Sequence, residues 1–187
     1  MLKIGIVIGS TRPGRLAEPV AHWVHEIAQK RGDADFELVD IADYGLPHFD
    51  EAIPPSAGQY AHQHTRTWAR KVAEFDGYVL VTPEYNHAVP AALKNALDFV
   101  YAEWNDKAVG FVSYGGSGGV RAVEQLRQVA GELQLADVRT QVELSLFTDF
   151  VDYSVLAPTP RQEGTLTTLL DQVVKWSTAL RTVRASR

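Results

Sequence analysis

Residues 2–15, LKIGIVIGSTRPGR, carry the strongest indication of the fold class. Its first part, Leu2–Ile8, is almost entirely aliphatic, which is typical of a strand that is covered on both faces. Residues 17–31 then repeat apolar side chains at helical spacing, and Gly32 predicts the end of that helix. The chain is therefore predicted to begin with a strand, a loop and a helix, the first unit of a parallel sheet.

The same alternation continues to the end of the chain. Apolar runs predict four more strands, over residues 36–39, 77–82, 108–113 and 138–144. Helices are predicted over 59–74, 91–100, 120–133 and 165–183, with loops over 43–58 and 145–164 and a solvated tail over 184–187. Strands alternating with helices predict a three-layer α/β fold with helices on both faces of a five-stranded parallel sheet. Of the two common strand orders, five strands favour the flavodoxin-like order 2-1-3-4-5 over a six-stranded dinucleotide fold.

The composition is that of one globular domain, expected to cover residues 1–187, with a net charge of -5 and no cysteine. The lack of cysteine excludes a disulfide scaffold, an iron–sulfur cluster and a thiolate nucleophile, so redox chemistry would need a bound cofactor. The mild acidity argues against a nucleic-acid partner. No apolar run reaches the roughly 18 residues that span a bilayer, so we expect a cytoplasmic protein without a membrane partner.

The loop after the first strand predicts a phosphate site. Residues 9–15 combine hydroxyls, guanidinium groups and backbone N–H groups at the start of a helix, and the candidates are Ser10, Arg12 and Arg15. Arg15 and Leu16 stand where a Walker A loop needs Lys and Ser or Thr. The loop does not match the G-x-G-x-x-G pattern of dinucleotide-binding folds either.

Two further loops, after the third and fourth strands, predict a slot for a flat ring. Prolines bracket residues 83–90, and four glycines occur within 114–119, so both loops can present backbone groups to a ligand. The candidate residues are Pro83, Glu84, Tyr85, Asn86, Ser113, Tyr114, Gly115, Gly116, Ser117 and Gly118. A single phosphate site beside such a slot fits FMN, whereas FAD would need a second phosphate cradle.

Several other residues suggest simpler roles. The six histidines lack metal-ligand spacing, so no metal site is predicted, and the serines lack the G-x-S-x-G pattern of hydrolases. Asp40 is interpreted as a loop or capping residue and Asp76 as a turn residue. For the aromatic side chains of Phe99, Tyr101 and Trp104, core packing and a dimer contact beside the flavin pocket are equally open.

At these motifs the chain resembles the NADPH-dependent FMN reductase family of flavodoxin-like proteins. The resemblance rests on residues 9–12 (GSTR), 46–51 (LPHFDE), 83–86 (PEYN), 90–98 and 118–121 (GGVR). It implies that Ser10 and Arg12 hold the FMN phosphate, that Pro83 to Asn86 border the isoalloxazine and ribityl chain, and that the turn from Gly115 lines the pyrimidine edge. Arg15 and Ala17 occupy positions where many members carry Ser and Asn, and Arg15 is expected to supply a phosphate contact there.

The resemblance also implies a reaction. NADPH or NADH would reduce the flavin at N5, and a quinone, free flavin, azo dye or metal oxyanion would then be reduced in a ping-pong cycle, with no catalytic side chain. Members are typically homodimers or homotetramers. A flavodoxin-type electron carrier without its own turnover, and a flavin- or nucleotide-binding regulatory protein, stay open as alternatives.

Overall fold

Five parallel strands form the central sheet in the computed structural model, which describes residues 1–186. They are β1 (Leu2–Ile8), β2 (Ala34–Asp40), β3 (Gly77–Pro83), β4 (Lys107–Gly115) and β5 (Leu135–Ser145). Their order across the sheet is β2-β1-β3-β4-β5, and every neighbouring pair is parallel. The predicted sheet and its strand order are confirmed.

Helices cover both faces of this sheet. They are α1 (Ala17–Gln29), α2 (Gln63–Ala73), α3 (Ala91–Asp98), α4 (Val120–Glu132) and α5 (Pro160–Ala185). One apolar core lies between the sheet and α1 with α5, and a second lies between the sheet and α2, α3 and α4. Strand side chains alternate between the two cores, which is why the inner strands β1, β3 and β4 are buried along almost their whole length, whereas the edge strands β2 and β5 carry exposed residues.

The predicted loop over residues 145–164 contains regular structure. A short antiparallel hairpin forms from β6 (Phe150–Val151) and β7 (Val155–Leu156). The helix α5 begins at Pro160 rather than at Thr165, because Thr159 and Gln162 form a capping box in front of its first turn. The two prolines of this segment mark the start of a helix rather than a long loop.

The predicted solvated tail is wrong at Arg184, which lies in α5. Its guanidinium group forms an ion pair with Asp76 and donates a hydrogen bond of 2.6 Å to the carbonyl of Asp106. Asp76 also accepts a hydrogen bond of 3.0 Å from the backbone N–H of Lys3. The end of α5 is therefore fastened to the amino edge of the sheet, and Arg187 lies outside the described residues.

Aromatic packing explains the residues whose role was open. Phe99 and Trp104 are buried in the core, and the ring of Trp104 lies 4.8 Å from that of Tyr78. Tyr101 is half-buried and its hydroxyl accepts a hydrogen bond of 3.1 Å from Gln134. Phe99 and Trp104 thus have a packing role. No helix within residues 1–186 combines the length and apolarity needed to cross a membrane.

A buried amine lies at the amino end of β4. Lys107 is only 5% exposed, and its Nζ donates to the carbonyl of Val72 and to the hydroxyl of Tyr78, each at 3.0 Å. Burial and the nearby charge of Arg184 lower the pKa of Lys107 to about 7, while Asp76 and Glu103 act in the opposite direction. Burying the charged form of this amine away from water destabilises the folded state.

We predict that Lys107→Met raises stability near pH 7. An unfolded lysine titrates near 10.4, so between about pH 7 and 10 the unfolded chain binds more protons than the folded one, and stability rises with pH in that window. The free energy of unfolding of the variant should be higher by on the order of 1–3 kcal/mol at pH 7. It should no longer rise with pH in this window. The carbonyl of Val72 keeps its hydrogen bond from the hydroxyl of Tyr78.

Urea unfolding of both proteins at pH 7, 8 and 9 measures the effect. Lys175→Met, at an exposed position on α5, is the control and should change stability little. An unchanged slope of stability against pH in Lys107→Met would contradict the assignment.

Candidate active site

A close approach between two loops forms the centre of the candidate site. The N–H of Gly9, just after β1, donates a hydrogen bond of 2.8 Å to the carbonyl of Val81 in β3. A Cβ at Gly9 would lie 2.6 Å from that oxygen and 2.8 Å from Leu93, so only glycine fits. The same approach places the buried hydroxyl of Ser10 3.0 Å from the hydroxyl of Tyr85.

A cleft of about 240 Å³ opens beside this contact, at the carboxyl edge of the sheet. Its volume is below the roughly 300–1,000 Å³ of typical ligand clefts and cavities, so a ligand of that size would extend beyond it. It is lined by Arg12, Gly14, Arg15, Leu16, Pro83, Glu84, Tyr85, Tyr114, Gly115, Leu146, Tyr153 and Ser154. Seven of the residues predicted for the site, drawn from three loops, thus meet at one surface.

The two arginines of the first loop have different surroundings. Arg15 donates a hydrogen bond of 3.1 Å to the carbonyl of Ser10, forms an ion pair with Asp40 and lies 3.7 Å from Glu18. Arg12 is exposed and has no ion pair within residues 1–186. Since two carboxylates already balance Arg15, Arg12 carries the uncompensated positive charge at the cleft.

Asp40 has the capping role expected from the sequence and a second one. Its Oδ1 accepts a hydrogen bond of 2.9 Å from the N–H of Ala42 and so caps the short 3₁₀ helix Ile41–Tyr44. Its other oxygen binds Arg15. Asp40, at the end of β2, therefore holds the loop after β1 in place through Arg15.

The loop after β3 forms a tight turn that is held by backbone hydrogen bonds as well as by its prolines. Tyr85 and Ala88 exchange two backbone hydrogen bonds of 3.0 Å. Asn86 and His87 between them have positive φ angles of 51° and 66°. Asparagine and histidine are among the non-glycine residues that adopt this region most often, so the two-residue turn is compatible with its sequence.

Helix α4 holds this turn from behind. Glu84, with only 5% of its side chain exposed, accepts hydrogen bonds from Arg121 Nε at 2.6 Å and from the Arg121 backbone N–H at 3.0 Å. Gln125 accepts from the N–H of Val89 and donates to the carbonyl of His87, both at 3.2 Å. The carboxylate of Glu84 is thus occupied by α4, and its part in the cleft is to fix the loop.

The glycine turn after β4 is shaped by a buried hydroxyl. Ser113 is fully buried and its Oγ donates a hydrogen bond of 2.6 Å to the carbonyl of Gly118. A Cβ at Gly119, whose φ is 76°, would lie 2.7 Å from the Cβ of Ser113. Ser113 therefore supports the turn from within rather than lining the cleft.

The turn separates two cavities. Gly115 lines the cleft beside the arginines, whereas Gly116, Ser117 and Gly118 line a second cavity of about 500 Å³ towards β5 and α5. The N–H of Gly118 does not point into the cleft, because it donates to the carbonyl of Gly115 at 3.1 Å.

Tyr114 forms the floor of the cleft. Its ring is buried and lies 6.1 Å from that of Phe150. Burial first and Tyr85 second raise the pKa of the Tyr114 hydroxyl, while a backbone hydrogen bond with Ala17 and the charges of Arg12 and Arg15 oppose this rise. The hydroxyl is therefore neutral at physiological pH.

The sequence did not point to Leu146, Tyr153 and Ser154, which complete the cleft. All three lie in the segment predicted as an unstructured loop. The alternation of apolar residues in residues 150–156 was the available signal, but the segment lacks the Asn-Gly or Asp-Gly pair that marks a hairpin. Within residues 1–186, no group of three or more His, Asp or Glu side chains is placed to hold a metal ion.

A sequence model of NADPH-dependent FMN reductases matches residues 2–149. The chain belongs to this family. It is 42% identical over 158 residues to an NAD(P)H-dependent FMN reductase of Schizosaccharomyces pombe, covering 83% of this chain and 79% of that protein. It is also 32% identical over 134 residues to a quinone reductase of Escherichia coli, covering 68% and 69%. The sequence-based prediction of an FMN-dependent NAD(P)H oxidoreductase is confirmed.

Solved structures show the same fold. The flavoenzyme NAD(P)H:(acceptor) oxidoreductase FerB of Paracoccus denitrificans superposes with a TM-score of 0.73 at 19% identity, covering 96% of this chain and 98% of that one. A flavodoxin, WrbA-like protein of Agrobacterium tumefaciens gives 0.61 at 17% identity over 96% and 99%. The predicted flavodoxin-like class is confirmed.

We predict that Glu84→Gln lowers stability by about 1–3 kcal/mol, because it leaves the Arg121 guanidinium without its carboxylate partner. Urea unfolding at pH 7 measures the loss. Asp98→Asn, which removes the half-exposed pair between Lys94 and Asp98, is the matched control and should change stability by less than about 0.5 kcal/mol. Equal effects of the two substitutions would contradict the role of Glu84 in fixing the loop after β3.

We predict that Arg12→Ala and Arg15→Ala differ in their effects. Arg12→Ala should weaken FMN binding by roughly 10–100-fold, the value of a charge-assisted hydrogen bond, with little loss of stability. Arg15→Ala should also lower the unfolding free energy, because it leaves Asp40 without its partner. Titration of FMN into the apoprotein and urea unfolding measure both quantities. Stoichiometric FMN with unchanged affinity in Arg12→Ala would refute the phosphate assignment.

Proposed function

We propose that this chain passes electrons from NAD(P)H to quinones or similar small acceptors in a ping-pong cycle, with FMN held in the cleft between Arg12 and Gly115. The observation that carries the proposal is the uncompensated charge of Arg12 at a cleft walled by Pro83, Tyr85 and Gly115. Such a site matches one anionic group joined to a flat ring. The quinone reductases among the relatives support the choice of acceptor.

The residues of the cleft fit FMN in kind. Arg12 would neutralise the phosphate, and the buried Ser10 hydroxyl, oriented by Tyr85, would accept or donate a hydrogen bond beside it. Pro83 and Gly115 present backbone rather than bulky side chains, so a ring can approach the loops closely. When bound, FMN supplies hydride acceptance and electron transfer, chemistry that none of the cleft's side chains offers.

The chain's own contribution is placement and exclusion of water. Glu84 and Arg121 fix the loop after β3, and Asp40 and Arg15 fix the loop after β1, so the two walls keep their spacing. The buried ring of Tyr114 forms a dry floor between them. We propose that no side chain acts as acid or base and that binding geometry provides the acceleration.

Steady-state kinetics of the purified protein test the proposal. Mass spectrometry of the chromophore released from one sample first identifies it as FMN. In a second, FMN-loaded sample, NADPH or NADH oxidation is followed with benzoquinone as acceptor. Double-reciprocal plots of rate against NAD(P)H concentration, at several benzoquinone concentrations, are expected to give parallel lines. Intersecting lines would exclude the ping-pong order, and bound FMN without turnover would instead indicate an electron carrier.

Assembly as a homodimer or homotetramer and a cytoplasmic location belong to the same proposal. Both rest on the resemblance to the family rather than on a contact within the chain. Sedimentation of the FMN-loaded protein measures the assembly, and a stable monomer would exclude it.

A further inference from the structure

Two aromatic side chains stand in solvent at the rim of the cleft. Phe147 and Tyr153 are 68% and 63% exposed, yet their rings pack edge to face at 5.8 Å. Tyr153 lines the cleft, and a Cβ at Gly116 would lie 3.5 Å from the ring of Phe147. Tyr153 thus lies at the candidate FMN site, and Phe147 lies beside the glycine turn.

Backbone strain places Tyr153 at this position. Asp152 and Tyr153 form the tip of the hairpin with φ angles of 49° and 55°. A bulky residue is rare in this region, which costs roughly 1 kcal/mol or more per residue. Glycine or asparagine would close the same turn without this cost, so the shape of the hairpin alone does not account for a tyrosine at its tip.

The base of the hairpin is firmly anchored. Phe150 is 6% exposed and packs against the floor residue Tyr114. The carboxylate of the buried Asp149 accepts hydrogen bonds from the N–H of Ser145 at 2.7 Å and from Gln162 at 2.8 Å. The aromatic pair is thus held on a fixed support beside the cleft rather than on a loose loop.

The charge of the segment limits what can dock there. Residues 146–157 contain two aspartates and no lysine or arginine, and Asp152 lies exposed next to Tyr153. The segment offers no cation to an anionic ligand, whereas an uncharged ring gains from two exposed aromatic faces. The exposed Val151 and Val155 extend the apolar surface.

We propose that Phe147 and Tyr153 position an uncharged planar acceptor, of the quinone class, against the cofactor in the cleft. This inference rests on the proposed function and assigns a recognition surface for its second substrate. The rings stack on or against the acceptor, while the cleft itself is filled by FMN. The two residues act as positioning residues for the acceptor and take no part in holding the phosphate.

The test compares acceptors in the FMN-loaded enzyme. The variant Phe147→Ala, whose ring lies outside the lining of the cleft, should raise the KM for menadione about threefold to tenfold and leave the rate with ferricyanide, which is anionic and has no ring, within about twofold. FMN content and the KM for NADPH should stay unchanged. Trp176→Ala, at a 50% exposed tryptophan on α5, is the matched control and should alter none of these values.

Binding without turnover provides the second readout. Equilibrium dialysis of menadione against the oxidised enzyme, with no NAD(P)H present, should show the same weakening in Phe147→Ala and near-normal binding in Tyr153→Phe, which keeps the ring. An unchanged menadione affinity would overturn the inference. So would loss of FMN, or dissociation of an oligomer in sedimentation, since the pair would then serve the cofactor or a second copy of the chain. Failure of the proposed function itself is distinct, because the unmodified enzyme would then show no turnover with either acceptor.

Discussion

The contact between Gly9 and Val81 is the constraint on which the candidate site depends. One hydrogen bond of 2.8 Å joins the loop after β1 to strand β3, and it forms only because residue 9 has no side chain. The apolar cores on both faces hold the strands in register, so this contact has a fixed place. Ser10 and Tyr85 then meet as a consequence, and the cleft opens beside them.

The charged side chains around the cleft have two separate roles, support of the loops and attraction of an anion. Acidic side chains neutralise the cations that support loops, namely Arg15 through Asp40 and Arg121 through Glu84. Arg12 alone among the arginines lining the cleft keeps its charge available within the described chain. An anion entering the cleft therefore meets one strong partner on a supported loop, which favours binding without a large rearrangement.

The segment between β5 and α5 shows where local sequence patterns stop being informative. Residues 145–164 predict a loop, since prolines, aspartates and serines interrupt the apolar periodicity. In the structure, Phe150 packs on Tyr114 and Asp149 gathers hydrogen bonds from both flanking elements, and these contacts stabilise a hairpin. Contacts across long sequence separations decide such short strands, whose intrinsic preference is weak.

The sequence alone determined the strand order, the two apolar cores and the three loops that carry the site, because apolar periodicity and turn residues act locally. It also determined the family, through motifs such as residues 9–12 and 83–86. The tertiary structure decided which of the candidate side chains face the cleft. Ser113 and the carboxylate of Glu84 stabilise loops behind the cleft, and Arg15 pairs with Asp40. Tyr153 lines the cleft although the sequence predicts only a loop around it. The physical reason is that a side chain interacts with the groups that are near it in space, and neither residue type nor spacing along the sequence gives those distances.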